Sequence, residues 1–228
     1  FQRSSMVWLT DKLWVRNALV KQLDAHPEKI LWCEHHLSHA ASAFYASGWD
    51  EATVLTVDGV GEWSTATWGV GRGQTIELMG EIRFPHSLGL LYSAFTAYLG
   101  FKVNSAEYKV MGLAPYGEPI YQDVIREHLI DLKPDGSFRM NMDYFGFTHS
   151  DVMTSPKMNE LFDGPPRQAE TEISQREMDI AASIQVVTEE IVLRLTRSIG
   201  RESGTKNLCL AGGVALNCVA NGKVLRDG

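Results

Sequence analysis

A helix followed at once by a buried strand constrains the structure of this chain more than any other feature. The letters HHLSHAASAFYAS (35–47) predict the helix, and the valines and threonines of ATVLTVD (52–58) predict the strand. His35 and His39 are four residues apart, so a helix places both imidazoles on one face, one turn apart. Asp58 ends the strand, where the chain enters a glycine-containing segment. The pattern therefore predicts two imidazoles and a carboxylate on neighbouring elements.

These three side chains are a candidate metal site. Two imidazoles and one carboxylate form a mixed nitrogen and oxygen ligand set, which suits a divalent transition metal such as iron(II) or zinc. His36 is a weaker candidate, because it points about 100° away from His35 around a helix. The zinc-protease signature is excluded, since it needs a glutamate immediately after the first histidine. Histidines that are merely buried or solvated remain the alternative from the pattern alone.

Two glycine-containing segments are candidate anion sites. The first is DGVGE (58–62), in which Gly59 and Gly61, with Val60 between them, let backbone N–H groups approach an anion closely. A plain turn between two strands is the alternative interpretation of this short segment. Because the segment begins with Asp58, we expect metal and phosphate chemistry to lie side by side.

The second segment is AGGVALN (211–217), where a buried strand enters a glycine turn and then a helix. A helix N-terminus that follows Gly212 and Gly213 offers free N–H groups to an anion. Asn217 would then face the ligand from the first turn of that helix. Tight packing of the strand against the helix around the glycines is the alternative.

A glutamate and a lysine interrupt an otherwise apolar run in EYKVMGLAPYG (107–117). Charged residues such as these usually lie exposed on the protein surface. Beside a phosphate site, Lys109 would instead neutralise the charge that develops on an anionic leaving group. Lys109 is therefore the candidate catalytic residue.

Further helices and strands follow from hydrophobic periodicity and from glycine and proline positions. The predicted helices cover residues 11–25, 87–100, 120–131 and 174–200, and another begins near residue 214. The predicted strands cover residues 30–33, 64–73, 76–84 and 207–213, with the second and third forming a hairpin. Residues 133–170 are predicted to be irregular. One apolar stripe marks the helix of residues 174–200, formed by Ile180, Ile184, Val187, Ile191 and Leu195.

Composition limits the classes of protein to which this chain can belong. The 228 residues carry a net charge of −7, which argues against nonspecific binding to nucleic acid or anionic lipid. Hydrophobic residues make up 44% and charged residues 21%, as in ordinary globular proteins. No apolar run approaches the roughly 20 residues that a membrane helix requires, and the start lacks the layout of a signal peptide. We therefore expect a cytoplasmic protein with no nucleic-acid or membrane partner.

The three cysteines, Cys33, Cys209 and Cys218, contain no CxxC pair. Cys33 and Cys209 fall in predicted buried strands, where a free cysteine behaves as a small hydrophobe. An odd set without a pairing motif is typical of a reducing compartment, which agrees with the expectation of a cytoplasmic protein.

Five segments together resemble one protein family, the NodU/CmcH-type O-carbamoyltransferases. They are EHHLSHAASAFYASG, TVDGVGEWSTATWGVGRG, SLGLLYSAFTAYLGF, SAEYKVMGLAPYG and LAGGVALNCVANGKVL, in order across nearly the whole chain. The resemblance implies an α/β fold of the actin-like ATPase type (ASKHA, ribonuclease H-like), with mixed sheets flanked by helices. It also implies that two related halves of the parent protein clasp a nucleotide and a metal.

The resemblance assigns roles to particular residues. The family's metal-binding histidines match His35 and His39, and its first metal aspartate matches Asp58. Its phosphate loop matches Gly59, Val60 and Gly61, and its second nucleotide loop matches Gly212, Gly213 and Asn217. An opening strand with an HDAS-type segment, a further metal aspartate in a GDDG-like motif and an adenylate-forming domain would lie outside these residues. The chain therefore resembles an internal fragment, incomplete at both ends and inactive by itself.

The resemblance also predicts the organisation and the reaction of the parent. Residues 1–118 would form part of a first actin-like lobe, residues 119–173 an insertion or cap, and residues 174–228 the start of a second lobe. Carbamoyl phosphate and ATP would give carbamoyl adenylate, and the carbamoyl group would pass to a hydroxyl of a sugar-containing small molecule, such as an antibiotic or a nodulation factor. The oligomeric state stays open, with a homodimer of the parent as one arrangement.

Two other functions stay open. The same fold serves tRNA threonylcarbamoyl transferases, although the acidic charge and the segment HHLSHA, in place of one like HMEGH, speak against this alternative. The other alternative is a non-catalytic, actin-fold nucleotide-binding module. An assay with tRNA tests the first, and ATP binding without carbamoyl transfer would indicate the second.

Overall fold

The computed structural model describes residue 10 and residues 12–227 of the chain. The chain divides into two compact units, residues 1–34 and 35–228. In the first unit the described elements are a 3₁₀ turn (Lys12–Trp14), helix α1 (Val15–Leu23) and a second 3₁₀ turn (Pro27–Lys29). The predicted helix of residues 11–25 is thus confirmed in its central part, while Asp11 lies outside the described residues.

The strand predicted for residues 30–33 is wrong. These residues have no regular structure, and the side chains of Leu31 and Trp32 are 88% and 64% exposed. Cys33, expected in a buried strand, is exposed as well. A strand needs hydrogen bonds to a neighbour, and the described strands pair with one another without this segment. A short apolar run is compatible with a strand, but it does not show whether a neighbouring strand is available for pairing.

The second unit combines strands and helices. Its strands are β1 (Glu51–Gly61), β2 (Ser64–Arg72), β3 (Thr75–Arg83), β4 (Ile130–Leu132), β5 (Phe138–Met140) and β6 (Leu208–Ala211). Its helices are α2 (His35–Ser47), α3 (Leu88–Tyr98), α4 (Glu107–Leu113), α5 (Gln122–Val124), α6 (Met158–Leu161), α7 (Gln175–Ser203) and α8 (Cys218–Asp227). None of the described helices is long and apolar enough to cross a membrane.

The main sheet has the strand order β3-β2-β1-β6. β1, β2 and β3 form an antiparallel meander, in which Thr56 lies opposite Thr67, and the predicted hairpin is confirmed. β6 joins the other side of β1 in parallel, with Val54 opposite Cys209. Parallel neighbours need a long crossover, which here runs through α3 to α7. One sheet therefore contains strands from residues 1–118 and from residues 174–228, which the sequence assigned to two different lobes. The division into lobes stays a prediction.

β1 is buried on both faces, because successive side chains of a strand point to opposite sides. On one side, Val54 packs with Ala40 and Phe44 of α2. On the other side, Leu55 and Val57 enter the larger core together with α3 and α7. The sheet thus carries a helix layer on each face, and β1 contributes to both.

The helix predicted for residues 120–131 is correct only in its first part. Gln122–Val124 is helical, and the chain then widens into a π turn over Ile125–Leu129. Ile130 enters strand β4 and pairs with Met140 in a separate two-stranded sheet. This pairing prevails over the local helical pattern, and the following segment, predicted to be irregular, also contains regular structure.

α7 forms the centre of the larger core, and its predicted apolar stripe is confirmed. All five side chains are between 0% and 3% exposed: Ile180, Ile184, Val187, Ile191 and Leu195. The helix begins at a capping box, in which the carboxylate of Glu177 accepts the backbone N–H of Ser174 at 2.9 Å and its hydroxyl at 2.6 Å. Gly204 ends the helix in the left-handed conformation, with φ 68°.

Replacing Glu177 by alanine should destabilise the protein in a pH-dependent way. Burial by itself raises the pKa of Glu177, but hydrogen bonds from Ser174 and the charge of Arg176 outweigh it and lower the pKa below the usual 4.5. A lowered pKa in the folded state contributes stability above pH 4.5 that is lost as the pH falls further. We expect Glu177→Ala to lower the free energy of unfolding at pH 7 by about 1 kcal/mol, as for other helix caps.

Urea denaturation of both proteins across the acid range measures this difference, which should narrow below pH 4.5. Glu202→Ala is the matched control, because Glu202 is exposed near the other end of the same helix. It should change stability by less than about 0.5 kcal/mol at every pH. A defect of Glu177→Ala that is equal at all pH values would contradict the charge-assisted cap.

Candidate metal centre

α2 and the end of β1 bring the three predicted ligands together. His35 and His39 project from the first two turns of α2, and Asp58 projects from β1. The Nε2 atoms of His35 and His39 lie 2.7 Å and 2.9 Å from Oδ2 of Asp58. The two Nε2 atoms lie 3.1 Å from each other. The structure thus joins in one cluster the side chains that the sequence places on two elements.

The alternation of β1 explains why Asp58 faces the histidines. Side chains two residues apart point to the same side of a strand, so Asp58 shares its side with Val54 and Thr56. Val54 packs in one cluster with Ala40 of α2, and Thr56 hydrogen-bonds to His36 of the same helix. The side of β1 that carries Asp58 is therefore the side that α2 covers.

Two glycines make room for this cluster. A Cβ on Gly61 would lie 2.2 Å from Cδ2 of His35, and a Cβ on Gly213 would lie 2.9 Å from Oδ1 of Asp58. Both distances are shorter than van der Waals contact, so a side chain at either position would displace a member of the cluster. Both glycines were predicted to belong to anion-binding segments, and here each borders the histidine–aspartate cluster.

Asp58 is held as a carboxylate. Burial raises its pKa, but hydrogen bonds from His35, from the Gly59 N–H, from His39 and from the Gly213 N–H outweigh burial and lower the pKa to about 2. The two backbone N–H groups point at Oδ1, at 2.8 Å and 3.3 Å. Oδ2 is therefore the oxygen that faces the imidazoles.

His36 points away from the cluster and into the sheet. It is 4% exposed and lies between Oγ1 of Thr56, at 2.7 Å, and the carbonyl oxygen of Ser64, at 2.8 Å. Burial lowers the pKa of His36, so its imidazole is neutral at pH 7. This placement agrees with the expectation that His36 is the weaker ligand candidate.

The three donor atoms fit a divalent transition metal. One ligand atom each from His35, His39 and Asp58 can be chosen so that all lie within 4.8 Å of one another. Atoms that bind zinc at about 2.0–2.2 Å are themselves about 2.8–3.5 Å apart in tetrahedral or octahedral geometry. The separations of 2.7, 2.9 and 3.1 Å come close to that range. Both imidazoles are partly exposed, which leaves a side of the cluster open to further ligands.

The start of α3 holds the backbone of the site. The buried hydroxyl of Ser87 donates to the carbonyl oxygen of Gly59 at 2.5 Å, and it accepts the N–H of Leu90, which caps α3. A Cβ on Gly89 would lie 2.5 Å from the carbonyl oxygen of Asp58. Sequence reasoning missed Ser87 and Gly89, although a serine directly before the apolar run LGLLYSAF is a helix-cap signal.

A cavity of about 420 Å³ opens beside Asp58. Residues of α3 and α4 and of the turn after β6 line it, and its polar groups include Ser93 and Glu107. The carboxylate of Glu107 accepts the Ser93 hydroxyl at 2.9 Å and the N–H of Asn104 at 2.8 Å. The described lining residues include Asp58 and Glu107 but neither lysine nor arginine. A cavity of this volume suits a small-molecule ligand.

The predicted phosphate loop at residues 58–62 belongs mostly to a strand. β1 runs to Gly61, and its pairing with β2 shifts in register between Val57 and Gly61. Gly59 lines the cavity, whereas Val60 is exposed and is not among its lining residues. The segment is therefore an irregular end of β1 rather than a separate loop.

The second predicted anion segment begins with a 3₁₀ turn, Gly213–Leu216, and α8 starts only at Cys218. Asn217 thus precedes the first turn of α8, which corrects the expectation that it lies within that turn. Oδ1 of Asn217 accepts the backbone N–H of Ala220 at 3.1 Å, and its amide exchanges hydrogen bonds with Gln185 at 3.0 Å and 3.1 Å. Asn217 borders the cavity, but these bonds to the protein engage its side chain.

Gly212 serves close packing of the backbone. Its φ is 93°, and a Cβ at this position would lie 2.3 Å from the carbonyl oxygen of Val57. A glycine is therefore required where β6 ends beside β1. Gly212 is not among the residues that line the cavity, whereas the neighbouring Gly213 is.

Lys109 lies away from the cavity. It is exposed on α4, and its Nζ lies 5.9 Å from the centre of the Phe101 ring. Helix residues two positions apart point about 200° apart, so Glu107 and Lys109 cannot face the same side. The structure brings Glu107, rather than the predicted Lys109, to the wall of the cavity.

Comparison with known proteins identifies the family. The family model described as carbamoyltransferase N-terminus matches residues 3–228. The chain belongs to the carbamoyltransferase family. The histidine–aspartate cluster and the cavity beside it lie within the residues that this family model matches.

Several known proteins are similar to this chain. The uncharacterized protein sll1178 of Synechocystis is 56% identical over 237 residues, which cover 100% of the chain and 38% of that protein. Nodulation protein NolNO of Sinorhizobium fredii is 37% identical over 222 residues, covering 96% of the chain and 31% of that protein. Nodulation protein NolO of Bradyrhizobium diazoefficiens is 36% identical over 194 residues, covering 85% and 33%. The chain thus spans about a third of the length of these relatives.

Alanine in place of Gly61 should disrupt the cluster of His35, His39 and Asp58. The added methyl group would lie 2.2 Å from the His35 ring, so the imidazole must move away from Asp58. We expect Gly61→Ala to lower the free energy of unfolding by about 1–3 kcal/mol, the usual cost of overpacking. A crystal structure of the variant should show Nε2 of His35 beyond hydrogen-bond distance of Oδ2 of Asp58.

Gly59→Ala is the matched control on the same strand. The nearest atom to its Cβ is Cδ2 of Leu90 at 3.9 Å, which is ordinary contact. This substitution should leave the distances between His35, His39 and Asp58 unchanged. Equal displacement of the cluster by both substitutions would contradict the steric role of Gly61.

Proposed function

We propose that the chain is the metal-holding part of an O-carbamoyltransferase that moves a carbamoyl group from carbamoyl adenylate to a hydroxyl of a sugar-containing small molecule. The observation that carries the proposal is the meeting of His35, His39 and Asp58 beside a cavity. Membership of the carbamoyltransferase family supports the type of group transferred. The similarity to two nodulation proteins supports the kind of acceptor.

The proposed fold is that of the actin-like ATPases (ASKHA, ribonuclease H-like). It is supported by a mixed sheet in which the meander β1–β3 is extended by the parallel strand β6, with helices on both faces. ATP or carbamoyl adenylate would occupy the cavity, next to Asp58, Gly59 and Gly213.

Carbamoyl phosphate and ATP are the proposed sources of carbamoyl adenylate, formed in another part of the parent protein. In the transfer step the hydroxyl oxygen of the acceptor attacks the carbamoyl carbon. The bond from this carbon to the phosphate oxygen then breaks, and AMP leaves with the electron pair. The hydroxyl proton passes to a base, so the products are the O-carbamoylated acceptor and AMP.

The residues of the cluster hold the reactants in place. His35, His39 and Asp58 would bind iron(II) or zinc, both of which accept this ligand set. When bound, the metal supplies a positive charge for carbonyl or phosphate oxygens. Asp58 presents Oδ2 to the imidazoles because the N–H groups of Gly59 and Gly213 occupy Oδ1.

The walls of the cavity would orient the ligand and exclude water. Ser93 and Glu107 present a hydroxyl and a carboxylate, which suit a ligand rich in hydroxyl groups. Because the described lining residues include no lysine or arginine, the phosphate charge would be met at the metal cluster. Lys109 has no role in this proposal, since it lies over Phe101.

Replacing His35 and His39 together by alanine in the full-length parent tests the proposal. We expect loss of bound metal and a fall in the carbamoyl transfer rate of about 100-fold or more, because a metal contributes several kcal/mol of charge stabilisation. Elemental analysis measures the metal, and mass spectrometry of the acceptor measures the transfer. The control is His149→Ala, because His149 is an exposed histidine that is not among the residues lining the cavity beside Asp58, and this variant should keep both properties.

Unchanged metal content and transfer rate in the double variant would refute the site. The same assay with tRNA as acceptor tests the alternative of a tRNA-modifying enzyme, which transfer to tRNA alone would favour. ATP binding by the parent without transfer to any acceptor would instead favour a nucleotide-binding module.

A further inference from the structure

Two different contacts fix α2 to the sheet. Every fourth residue from His36 is buried, namely His36, Ala40 and Phe44. At the far end of the helix, Phe44 packs so closely on β2 that a Cβ on Gly71 would lie 2.6 Å from its ring. At the end that carries the cluster, the buried contact is polar, since it is made by the imidazole of His36.

The two hydrogen bonds of His36 determine its tautomer. Nε2 lies 2.8 Å from the carbonyl oxygen of Ser64, which can only accept, so Nε2 carries the proton. Nδ1 is then unprotonated and accepts the hydroxyl of Thr56 at 2.7 Å. Oγ1 of Thr56 in turn accepts the hydroxyl of Thr67 at 2.7 Å. The ring is therefore held in one orientation by a chain of buried hydrogen bonds.

These bonds span the irregular part of the β1–β2 pair. Thr56 lies one residue before Val57, which forms the last regular pair before the register shift between Val57 and Gly61. Ser64 lies opposite Gly61, directly after the shift, and Asp58 lies within it. One imidazole on α2 thus joins the helix to both sides of the strand irregularity that contains the aspartate.

We propose that His36 is a positioning residue for the metal centre: it holds the first turn of α2 in place over this irregularity, so that His35 and His39 meet the carboxylate of Asp58. The inference rests on the proposed metal-holding role of those three residues. Burial alone does not require a histidine at position 36, because an apolar side chain would also be buried there. An apolar side chain would lack the two directional bonds that fix the helix against both strands.

The test compares His36→Leu with His36→Gln in the full-length parent, with the zinc dissociation constant as the readout. Leucine stays buried without hydrogen bonds, whereas glutamine keeps a donor near the position of Nε2. We expect His36→Leu to weaken zinc binding about 10- to 100-fold, as the loss of residues that orient metal ligands usually does. His36→Gln should recover most of this loss.

Thr56→Val removes the other hydrogen bond and provides a milder second variant. It should weaken zinc binding in the same direction as His36→Leu but to a smaller extent. Combined with His36→Leu, it should add little, because both substitutions break the same contact. If His36→Leu fails to fold, the zinc dissociation constant and crystal structure of Thr56→Val test the positioning role instead.

Phe44→Leu is the matched control for general destabilisation. It loosens the other end of α2 and should lower the melting temperature at least as much as His36→Leu. Its zinc dissociation constant should stay within about twofold of the unsubstituted protein, since Phe44 packs on Gly71 at the other end of α2. Equal weakening of zinc binding by Phe44→Leu and His36→Leu would reduce His36 to a structural role and overturn the inference.

A crystal structure of His36→Leu gives a readout that does not depend on metal. Nε2 of His35 and of His39 should both lie beyond hydrogen-bond distance of Oδ2 of Asp58. An intact cluster would overturn the positioning role, whatever the zinc affinity. If the unsubstituted parent binds no more zinc than the variant lacking His35 and His39, the metal-centre proposal fails. The distances from the two imidazoles to Asp58 in the crystal structure of His36→Leu still test the positioning role of His36 in that case.

Discussion

One carboxylate oxygen shared by two imidazoles is the interaction on which the rest of the site depends. Oδ2 of Asp58 lies 2.7 Å and 2.9 Å from the ring nitrogens of His35 and His39. A partly buried charge is costly unless it is compensated. Here the imidazoles meet one oxygen and two backbone N–H groups meet the other. Glycine is required at the neighbouring positions 61 and 213, because the cluster leaves no space for a side chain there.

The fold serves this interaction by burying β1 from both sides. Val54 and Leu55 are adjacent in the chain but enter different cores, one under α2 and the other with α3 and α7. The packing on both faces fixes the strand up to Val57, and the next residues, Asp58 and Gly59, line the cavity. The start of α3, through Ser87, then holds the backbone of the same two residues. In a chain that spans about a third of the length of its relatives, these contacts form a compact candidate site.

Local patterns predicted the elements well where the pattern was long or repeated. The stripe that begins at Ile180 predicted α7, and the alternation in residues 64–84 predicted the β2–β3 hairpin. Predictions that depended on a partner strand were weaker. Residues 30–33 are apolar but unpaired with the described strands, and Ile130 leaves a helical pattern because Met140 offers it a strand partner. Whether a short apolar segment becomes a strand depends on a hydrogen-bonding partner distant in sequence, and hydrophobic periodicity does not identify that partner.

The sequence by itself determined which side chains are available to the site and how they are spaced. A separation of four residues places His35 and His39 on one face of α2, and strand alternation gives Asp58 the same side as Val54. Only the tertiary structure decided which residues meet them. It placed Glu107 rather than Lys109 at the cavity, turned Asn217 toward Gln185, and set His36 between Thr56 and Ser64. The physical reason is that helix and strand geometry are fixed by local bonds, whereas the contacts between elements depend on how the whole core packs.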